Sequence, residues 1–344
     1  DVFFKRKEEM DFLTVGFSPA TLLRSHRRTF PRPYNKWVRV NEHMRKYVWF
    51  PIYHPFNLKK PILNKLTMGL FRAYDRLLPR SLIKALGKVD LFIIENGAGL
   101  VLIPRLKKLF PSAKIIYTVC DRIETLDYHP VIIEAEKKAL PFIDLVRVPS
   151  AVMVDDFKKP AKFHPNVRFI AHGLVKAQFD ADMPNPYSSG KNVISIGDML
   201  FDAEAIRTMA NAYPDWTFHL FGKNAKLEPD MPNVIAYGER PFDALVPYIK
   251  HADIGLAPYR PAPDADYLSQ SSMKMIQYTY CRLPILAPEF AATGRDHVVA
   301  YDPLNKDSIV SAMSRAIIYP RDTIDRSSVL DWDKAVDLML EGIQ

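Results

Sequence analysis

The strongest chemical signal in the sequence is a short polar run that reads Ser-Ser-Met-Lys-Met-Ile-Gln-Tyr, at residues 271–278. It follows a predicted strand that ends in Tyr259. The hydroxyl groups of Ser271 and Ser272 and the charge of Lys274 gather where the first free N–H groups and the dipole of a helix also favour an anion. We expect a diphosphate to bind there. A plain serine N-cap beside a solvated lysine is the alternative.

Two more predicted strands end in groups that suit a nucleotide. Glu239 follows predicted strand 233–237, and Gly238 permits a tight exit. A carboxylate in that position can accept hydrogen bonds from ribose hydroxyls or from a base N–H. The turn at residues 197–202 leaves another strand, and Gly197 allows close approach to the backbone. An isolated glutamate more often caps a helix, so position alone leaves its role open.

Asp121 is the candidate general base. It follows predicted strand 113–120, and a carboxylate in that position can take the proton of a substrate hydroxyl group. Glu95, at the end of strand 90–95, is the competing carboxylate, and a structural or capping role for Asp121 stays open. Arg122 would weaken Asp121 as a base unless its guanidinium points elsewhere. Three histidines are weaker candidates, because each is more often structural: His54, His172 and His251.

Several enzyme classes lack their motifs here. The sequence has no Gly-x-Gly-x-x-Gly after a strand, no Walker loop, no Gly-x-Ser-x-Gly elbow and no His or Cys cluster with metal-ligand spacing. This excludes the common dehydrogenases, P-loop enzymes, serine hydrolases and zinc proteins, and we expect neither a metal nor a cofactor. The two cysteines, Cys120 and Cys281, form no disulfide framework and favour a reduced, cytoplasmic setting.

The elements that position these residues alternate between strand and helix, which is typical of a parallel sheet in an α/β protein. A chain of 344 residues usually divides into two domains. The first series of predicted strands is 11–17, 46–52, 90–95, 113–120, 144–149 and 167–171, with helices at 62–78, 99–110, 131–140 and 151–158. The second series is 192–197, 217–221, 233–237, 254–259, 284–287 and 297–301, with helices at 203–212, 242–250, 271–280 and 306–318.

This pattern predicts two Rossmann-like doubly wound domains that face a central cleft, with the carboxyl ends of both sets of strands at that cleft. We place the first domain at 1–182 and the second domain, which carries the candidate diphosphate and nucleotide groups, at 191–330. A C-terminal helix is expected at 331–344. The Pro-, Asn-, Ser- and Gly-rich stretch 183–190 is the predicted linker.

The net charge of +8 lies entirely in the first hundred residues, which hold 19 Lys and Arg against 8 Asp and Glu. Basic and aromatic residues alternate there, and this mixture suits an anionic membrane surface. The residues predicted to contact the membrane or the acceptor are Arg27, Arg28, Arg32 and Lys36. Nucleic acid is a rival partner, although no binding motif accompanies the charge, and a merely solvated face is the plain alternative. No apolar run is long enough to span a bilayer, and residues 1–9 lack the features of a secretory signal.

Several segments together resemble the GumK-like glucuronosyltransferases of glycosyltransferase family 70. The matching segments, in the same order and with similar spacing between about residues 47 and 290, are His54-Pro-Phe-Asn57, Gly197-Asp-Met-Leu-Phe-Asp202, Tyr237-Gly-Glu239, Tyr248-Ile-Lys-His-Ala252, Ala257-Pro-Tyr259, and Ser271-Ser-Met-Lys274 with Gln277-Tyr278. The segment that would supply a first strand and its loop is not recognisable before Asp11, so no acceptor contacts are carried over there.

The resemblance implies a GT-B fold and transfer of glucuronic acid from UDP-glucuronate, with inversion and without a metal. It implies that the domain at 1–182 is the acceptor-binding, membrane-facing domain and that the domain at 191–330 is the UDP-sugar-binding domain. The acceptor it implies is a polyprenyl-diphosphate-linked oligosaccharide of exopolysaccharide synthesis, at the cytoplasmic face of the bacterial inner membrane. Asp121 resembles the general base of the family. The residues that resemble its UDP contacts are Met199, Glu239, Tyr259, Ser272, Met273, Lys274 and Gln277. Another UDP-sugar as donor, a UDP-sugar epimerase and a catalytically silent binding protein remain as alternatives.

Overall fold

The computed structural model describes residues 6–24, 32–158 and 166–343. The chain divides into two compact units. The first comprises residues 1–149, 153–170 and 337–344, and the second comprises residues 150–152 and 171–336. Arg27 and Arg28, two of the predicted membrane contacts, lie outside the described residues.

The described strands of the first unit form two sheets rather than the single series that the sequence predicts. These strands are β1 (Met10–Thr14), β2 (Trp37–Arg39), β3 (Met44–Val48), β4 (Leu91–Glu95), β5 (Lys114–Thr118), β6 (Leu145–Val148) and β7 (Asn166–Phe169). One sheet has the order β1-β3-β2, and the other is parallel with the order β4-β5-β6-β7. In the smaller sheet a short hairpin pairs β2 antiparallel with β3, and the Asn41 side chain accepts from His43 N in its turn.

Helices cover these sheets in the expected alternation. They are α1 (Pro19–Arg24), α2 (Pro61–Arg72), α3 (Arg80–Leu86), α4 (Gly99–Leu109), α5 (Pro130–Ala139) and α6 (Val154–Lys158). The core of the parallel sheet is aliphatic: Ile115, Ile116, Leu145 and Val146 are all fully buried. The predicted helix 62–78 ends earlier than expected, at Arg72, and a 3-10 turn over Tyr74–Leu77 follows it.

The second unit contains one six-stranded parallel sheet within its described residues. Its strands are β8 (Asn192–Ile196), β9 (Thr217–Phe221), β10 (Val234–Gly238), β11 (Ile254–Leu256), β12 (Ile285–Pro288) and β13 (Val298–Tyr301). Its helices are α7 (Lys176–Asp180), α8 (Ala203–Ala212), α9 (Phe242–His251), α10 (Leu268–Ser271), α11 (Met273–Tyr280), α12 (Lys306–Ile317) and α13 (Trp332–Glu341).

The strand order of this sheet, β10-β9-β8-β11-β12-β13, is that of a doubly wound Rossmann fold. From β8 the chain adds β9 and β10 on one side of the sheet and then returns to add β11, β12 and β13 on the other side. The reversal point therefore lies between the neighbouring strands β8 and β11. Ligands of such sheets bind outside the carboxyl ends of the strands at this reversal point. The residues that follow β8 and β11 are therefore the first place to look for a site.

The predicted linker 183–190 belongs to the second unit, and the chain passes from one unit to the other near residue 171. Side chains before and within the predicted linker explain this assignment. Phe179 packs on Tyr280, and Tyr187 donates a hydrogen bond to the carbonyl of Tyr248. The last helix, α13, begins in the second unit, and the chain returns to the first unit from residue 337.

Candidate functional site

The loops after β8 and β11 are fastened to each other at the reversal point of the second sheet. Asp202 N donates to Pro258 O at 2.9 Å, and Arg260 N donates to Leu200 O at 2.7 Å. Gly197 begins the first of these loops with φ of +75°, a conformation that favours glycine. The two loops are therefore held together as one rigid surface rather than as two independent segments.

Ser272 interrupts the helix that the sequence predicts over residues 271–280. Its extended backbone separates α10 from α11, so that α11 begins at Met273. The Ser272 hydroxyl lies 2.7 Å from the Tyr259 hydroxyl and does not cap the helix. The first turn of α11 thus carries no side-chain cap, and its N–H groups are available to an anion. Met273 is partly buried.

Lys274 places a cation at the same point. Its Nζ lies 4.8 Å from the centre of the Tyr259 ring and would lie 3.9 Å from a Cβ added to Gly197. Burial lowers the pKa of Lys274 to about 8, and the carboxylate of Asp198 opposes this shift. Asp198 is itself held by Asn224, whose N and Nδ2 donate to it at 2.8 and 2.9 Å. A desolvated ammonium beside uncapped amides is suited to a phosphate group.

Two buried polar groups on this helical segment have no partner among the described residues. The Gln277 Oε1 and Ser271 Oγ atoms are both buried and make no hydrogen bond. Unsatisfied buried polar atoms are costly, and they are most common where a ligand or water completes the site. Ser271 belongs to α10, whereas Gln277 lies in α11.

Tyr278, which the sequence analysis names only as part of a motif, fixes α11 to the sheet. Tyr278 is fully buried, and its hydroxyl bonds to both Ile196 N and Ile194 O at 3.2 Å. A Cβ added to Gly255 would lie 2.4 Å from the Tyr278 ring, so only glycine leaves room for it in β11. A glycine inside a predicted strand signals such close packing.

Met199 and Glu239 occupy the more open part of this edge. Met199 lies in the loop after β8 and is 42% exposed, and Glu239 is exposed just after β10. Glu239 is two strands away from β8 in the sheet order, yet the ends of β9 and β10 are joined by a 3.0 Å bond from Gly222 N to Gly238 O. The structure thus brings Met199, Tyr259, Ser272 and Lys274 to the reversal point and places Glu239 further along the same edge.

Asp121 follows β5 in the first unit, and Asn96 holds its backbone. Asn96 Oδ1 accepts from Cys120 N at 2.5 Å, and Asn96 Nδ2 donates to Asp121 O at 3.0 Å. The turn after β4 is therefore clamped to the turn after β5 around a partly buried Asp121. Arg122 Nε donates to an Asp156 carboxylate oxygen at 2.8 Å, so a second carboxylate offsets its charge. Glu95, the competing carboxylate, is exposed at the end of β4.

A buried arginine near this turn was not predicted. Arg147 is 1% exposed in β6, and its Nη1 donates to Val119 O at 3.2 Å. Its Nε and Nη2 have no hydrogen-bond partner in the described part of the chain. Burial lowers the pKa of Arg147 to about 10, and the nearby Cys120 and Glu95 oppose that shift. A lone cation inside an apolar strand was the signal available in the sequence.

The candidate histidines serve the packing of their own units. His54 Nδ1 lies 3.0 Å from the Tyr74 hydroxyl, and burial lowers the pKa of His54 to about 4. His251 Nε2 lies 2.9 Å from Met183 O, and the buried His172 packs edge-on against Trp332. Among the described residues, no group of three or more His, Cys, Asp or Glu side chains could hold a metal ion.

Two Rossmann-like units, the second with a nucleotide-binding edge at its reversal point, are typical of the GT-B fold. Among solved structures, this chain is similar to the apo structure of OtsA, with a TM-score of 0.62, 12% identity and coverage of 91% of this chain and 89% of that one. It is also similar to sucrose-phosphate synthase from Thermosynechococcus elongatus, with a TM-score of 0.59, 13% identity and coverage of 96% and 87%. These likenesses show the fold.

The sequence comparisons are more specific. The family model of the N-terminal domain of glucuronosyltransferase GumK matches residues 2–149. A relative from Xanthomonas campestris pv. campestris, UDP-glucuronate:glycolipid 2-beta-glucuronosyltransferase, is 30% identical over 296 residues, which cover 86% of this chain and 72% of the relative. The chain belongs to the GumK family of glucuronosyltransferases.

Proposed function

We propose that this protein transfers glucuronic acid from UDP-glucuronate to a polyprenyl-diphosphate-linked oligosaccharide during exopolysaccharide synthesis. The observation that carries the proposal is the anion site at the reversal point, where Lys274 and the uncapped start of α11 meet the loops after β8 and β11. The donor and a glycolipid acceptor are those in the name of the Xanthomonas relative.

In the proposed complex the diphosphate of the donor lies against Lys274 and the first N–H groups of α11. The Tyr259–Ser272 hydroxyl pair, Met273 and Gln277 line the same segment, while Met199 and Glu239 contact the nucleoside. When the C1–O bond to the diphosphate breaks, UDP leaves with the bonding electrons. A cation and helix amides stabilise the charge that develops on UDP, so the proposed reaction needs no metal.

The acceptor hydroxyl attacks C1 from the opposite face, which inverts the configuration at that carbon. The 2-beta linkage in the name of the relative supports this stereochemistry. Asp121 takes the hydroxyl proton as the new C–O bond forms. The Asn96 clamp supports this role because it fixes the backbone on both sides of the Cys120–Asp121 peptide bond.

We further propose that the protein works as a peripheral protein at the cytoplasmic face of the bacterial inner membrane and binds anionic lipid rather than nucleic acid. In the described part of the chain, no helix is long and apolar enough to cross a membrane. Arg32 and Lys36 are exposed in the basic N-terminal region, where headgroup phosphates are natural partners.

The function is tested with a panel of UDP-sugars. UDP-glucuronate should raise the melting temperature most, since a bound ligand stabilises by mass action, and it alone should release UDP when a polyprenyl-diphosphate-linked acceptor is added. Release from another UDP-sugar would correct the donor. Appearance of an epimerised UDP-sugar without acceptor would refute transfer as the activity.

Asp121→Asn tests the base. The variant should lose about 10²- to 10⁴-fold in kcat while its affinity for UDP is nearly unchanged, because a general base acts on the transition state. Activity within threefold of wild type would show that another group takes the proton, and Glu95→Gln is the variant to examine next. Activity unaffected by excess chelator would support the metal-free reaction, and strict dependence on magnesium or manganese would contradict it.

A further inference from the structure

The series of backbone hydrogen bonds through α10 and α11 is interrupted at Ser272. The last bond before the interruption runs from Ser272 N to Leu268 O, and the first bond after it runs from Ile276 N to Ser272 O. In the described part of the chain, the N–H groups of residues 273–275 have no backbone acceptor and no side-chain cap. These are the donors that α11 offers to an anion.

An uninterrupted helix would use two of these donors internally. In an α-helix each N–H group bonds to the carbonyl four residues earlier, so Met273 N would bond to Ser269 O and Lys274 N would bond to Gln270 O. The interruption frees these two N–H groups, but it also takes from the two carbonyls their helical partners. Ser269 is buried, and a buried carbonyl needs another donor because an unsatisfied polar group costs free energy.

Arg295, in the connection between β12 and β13, supplies both missing donors. Its Nη1 donates to Ser269 O, and its Nη2 donates to Gln270 O at 3.2 Å. The guanidinium thus binds the same two carbonyls that Met273 and Lys274 would take in a continuous helix. Because a guanidinium presents several donors in a planar fork, it can satisfy two neighbouring acceptors at once, whereas an ammonium is a point charge.

The segment that carries Arg295 is itself held in place. Val298 N donates to Arg295 O at 3.2 Å, and His297 Nε2 lies 2.8 Å from the hydroxyl of Thr279 in α11. Burial lowers the pKa of Arg295 to about 10, and nearby Tyr259 opposes the shift. The guanidinium is therefore charged at neutral pH, and the same segment contacts α10 through Arg295 and α11 through His297.

We propose that Arg295 is a positioning residue of the diphosphate site: it keeps α10 and α11 apart, so that the N–H groups of Met273 and Lys274 remain available to the ligand instead of closing the helix. The inference rests on the proposed function, because it takes the ligand at the start of α11 to be the diphosphate of a UDP-sugar. It adds a residue that acts on the ligand only through the backbone of α11.

The test compares two ligands that differ only in the diphosphate. Uridine lacks both phosphates of UDP, so the ratio of the two dissociation constants measures what the diphosphate contributes. Arg295→Ala and Arg295→Lys should each weaken UDP binding about tenfold or more, the loss of at least one hydrogen bond to a charged group. Both should bind uridine within twofold of wild type. Calorimetry measures UDP binding and ligand-observed NMR measures uridine binding, at pH 7 with chelator.

Arg321→Ala is the matched control. Arg321 also donates to two backbone carbonyls, from Nε to Arg282 O at 3.0 Å and from Nη2 to Cys281 O at 3.4 Å, but these lie at the opposite end of α11. The control should bind UDP within twofold of wild type. It separates the loss of an arginine that binds carbonyls from the loss of the break between α10 and α11.

Hydrogen exchange of residues 268–276, measured by mass spectrometry, provides a second readout. In the UDP-free wild type the N–H groups of Met273 and Lys274 should exchange fast, and UDP should slow them. In UDP-free Arg295→Ala they should exchange more slowly than in wild type, because the helix closes onto the two vacated carbonyls. Faster exchange in the variant would show local unfolding and would overturn the proposal.

Four binding results would also overturn it. These are UDP affinity of Arg295→Ala within twofold of wild type, equal losses for uridine and UDP, full UDP affinity in Arg295→Lys, and an equal loss of UDP affinity in Arg321→Ala.

The proposed function is tested separately by UDP release from UDP-glucuronate in the presence of acceptor. Wild-type turnover together with Arg295 variants that bind UDP as wild type does would refute this inference alone. A wild type that binds UDP no more tightly than uridine would refute the diphosphate site on which the proposed function rests.

Discussion

Lys274 should make UDP affinity depend on pH in a range where the phosphates of the nucleotide do not titrate. With a pKa of about 8 in the free protein, this lysine is about nine-tenths protonated at pH 7 and about one-tenth protonated at pH 9. A terminal phosphate has its second pKa near about 6, so it is already ionised over this interval. The anion site therefore loses its cation while the diphosphate keeps its charge.

The sign of the effect follows from linkage. A bound diphosphate favours the ammonium form and raises the pKa of Lys274, so binding takes up a proton above pH 8 and weakens as the pH rises. If the ammonium is required, the dissociation constant for UDP should increase about tenfold between pH 7 and pH 9, or by about 1.4 kcal/mol. Lys274→Ala should bind about 10- to 150-fold more weakly at pH 7, the range for a hydrogen bond to a charged group.

Isothermal titration at pH 7, 8 and 9 in buffers with chelator measures both effects. The variant curve should be flatter than the wild-type curve, and the difference between the two slopes is the contribution of Lys274. Lys306→Ala, which removes an exposed lysine at the start of α12 in the same unit, should keep both the affinity and the slope of wild type. A flat wild-type curve, or an alanine variant within twofold of wild type at pH 7, would refute the assignment of Lys274 to the diphosphate.

Three further predictions concern the turn that holds Asp121, the packing of Gly255 in β11 and the stability of the protein at acid pH. Asn96→Ala should lower kcat about 10²-fold with UDP affinity unchanged. Asn96→Asp keeps the acceptor for Cys120 N, so its kcat should lie between those of wild type and the alanine variant. Equal kcat for wild type and both variants would show that Asp121 does not need to be held by Asn96. Gly255→Ala should lower the free energy of unfolding, measured in urea, by at least about 1–3 kcal/mol. Gly190→Ala is the control, because the space around Gly190 is open, and its stability should be near that of wild type. Equal stability of the two variants would contradict the packing of Tyr278 on Gly255. Burial lowers the pKa of His297 to about 4, so the unfolded state binds more protons below about pH 6.5 and stability falls from there toward pH 4. His297→Gln should lessen that loss by up to about 2 kcal/mol at pH 5 in thermal melts, and an unchanged acid limb would show that other groups cause it.

Sequence patterns located the second unit well because its strands are short apolar runs between clear helical periods. Predicted strand 217–221 and helix 203–212 coincide with β9 and α8. The three-residue β2 was missed, since its support is tertiary: Arg45 lies over the Trp37 ring at 4.5 Å. The short helices α1, α3 and α7 carry too few turns to show a period.

The candidate site was predictable where polar or charged side chains lie at the end of a predicted strand or at the start of a predicted helix. Lys274 was singled out at a predicted helix start and Tyr259 through the family resemblance, and the structure places their side chains together. The break at Ser272 was not predictable, because its partner Tyr259 is thirteen residues away and nothing local forbids a continuous helix. In α2 the residues Ile62, Leu66 and Leu70 have the spacing that usually marks the buried face of a helix, yet they are exposed. The buried Asn64 on the opposite face decides which side of the helix lies inside.

The path of the chain has a consequence for the order of folding during synthesis. Residues 337–343 complete the first unit, where Asp337 pairs with Arg6 at 2.9 Å and Gly342 O accepts from Asn166 at 2.8 Å. A ribosome releases these residues only after the entire second unit has emerged. The first unit therefore lacks the contacts made by residues 337–343 while the second unit is synthesised. Contacts of such long sequence separation form slowly.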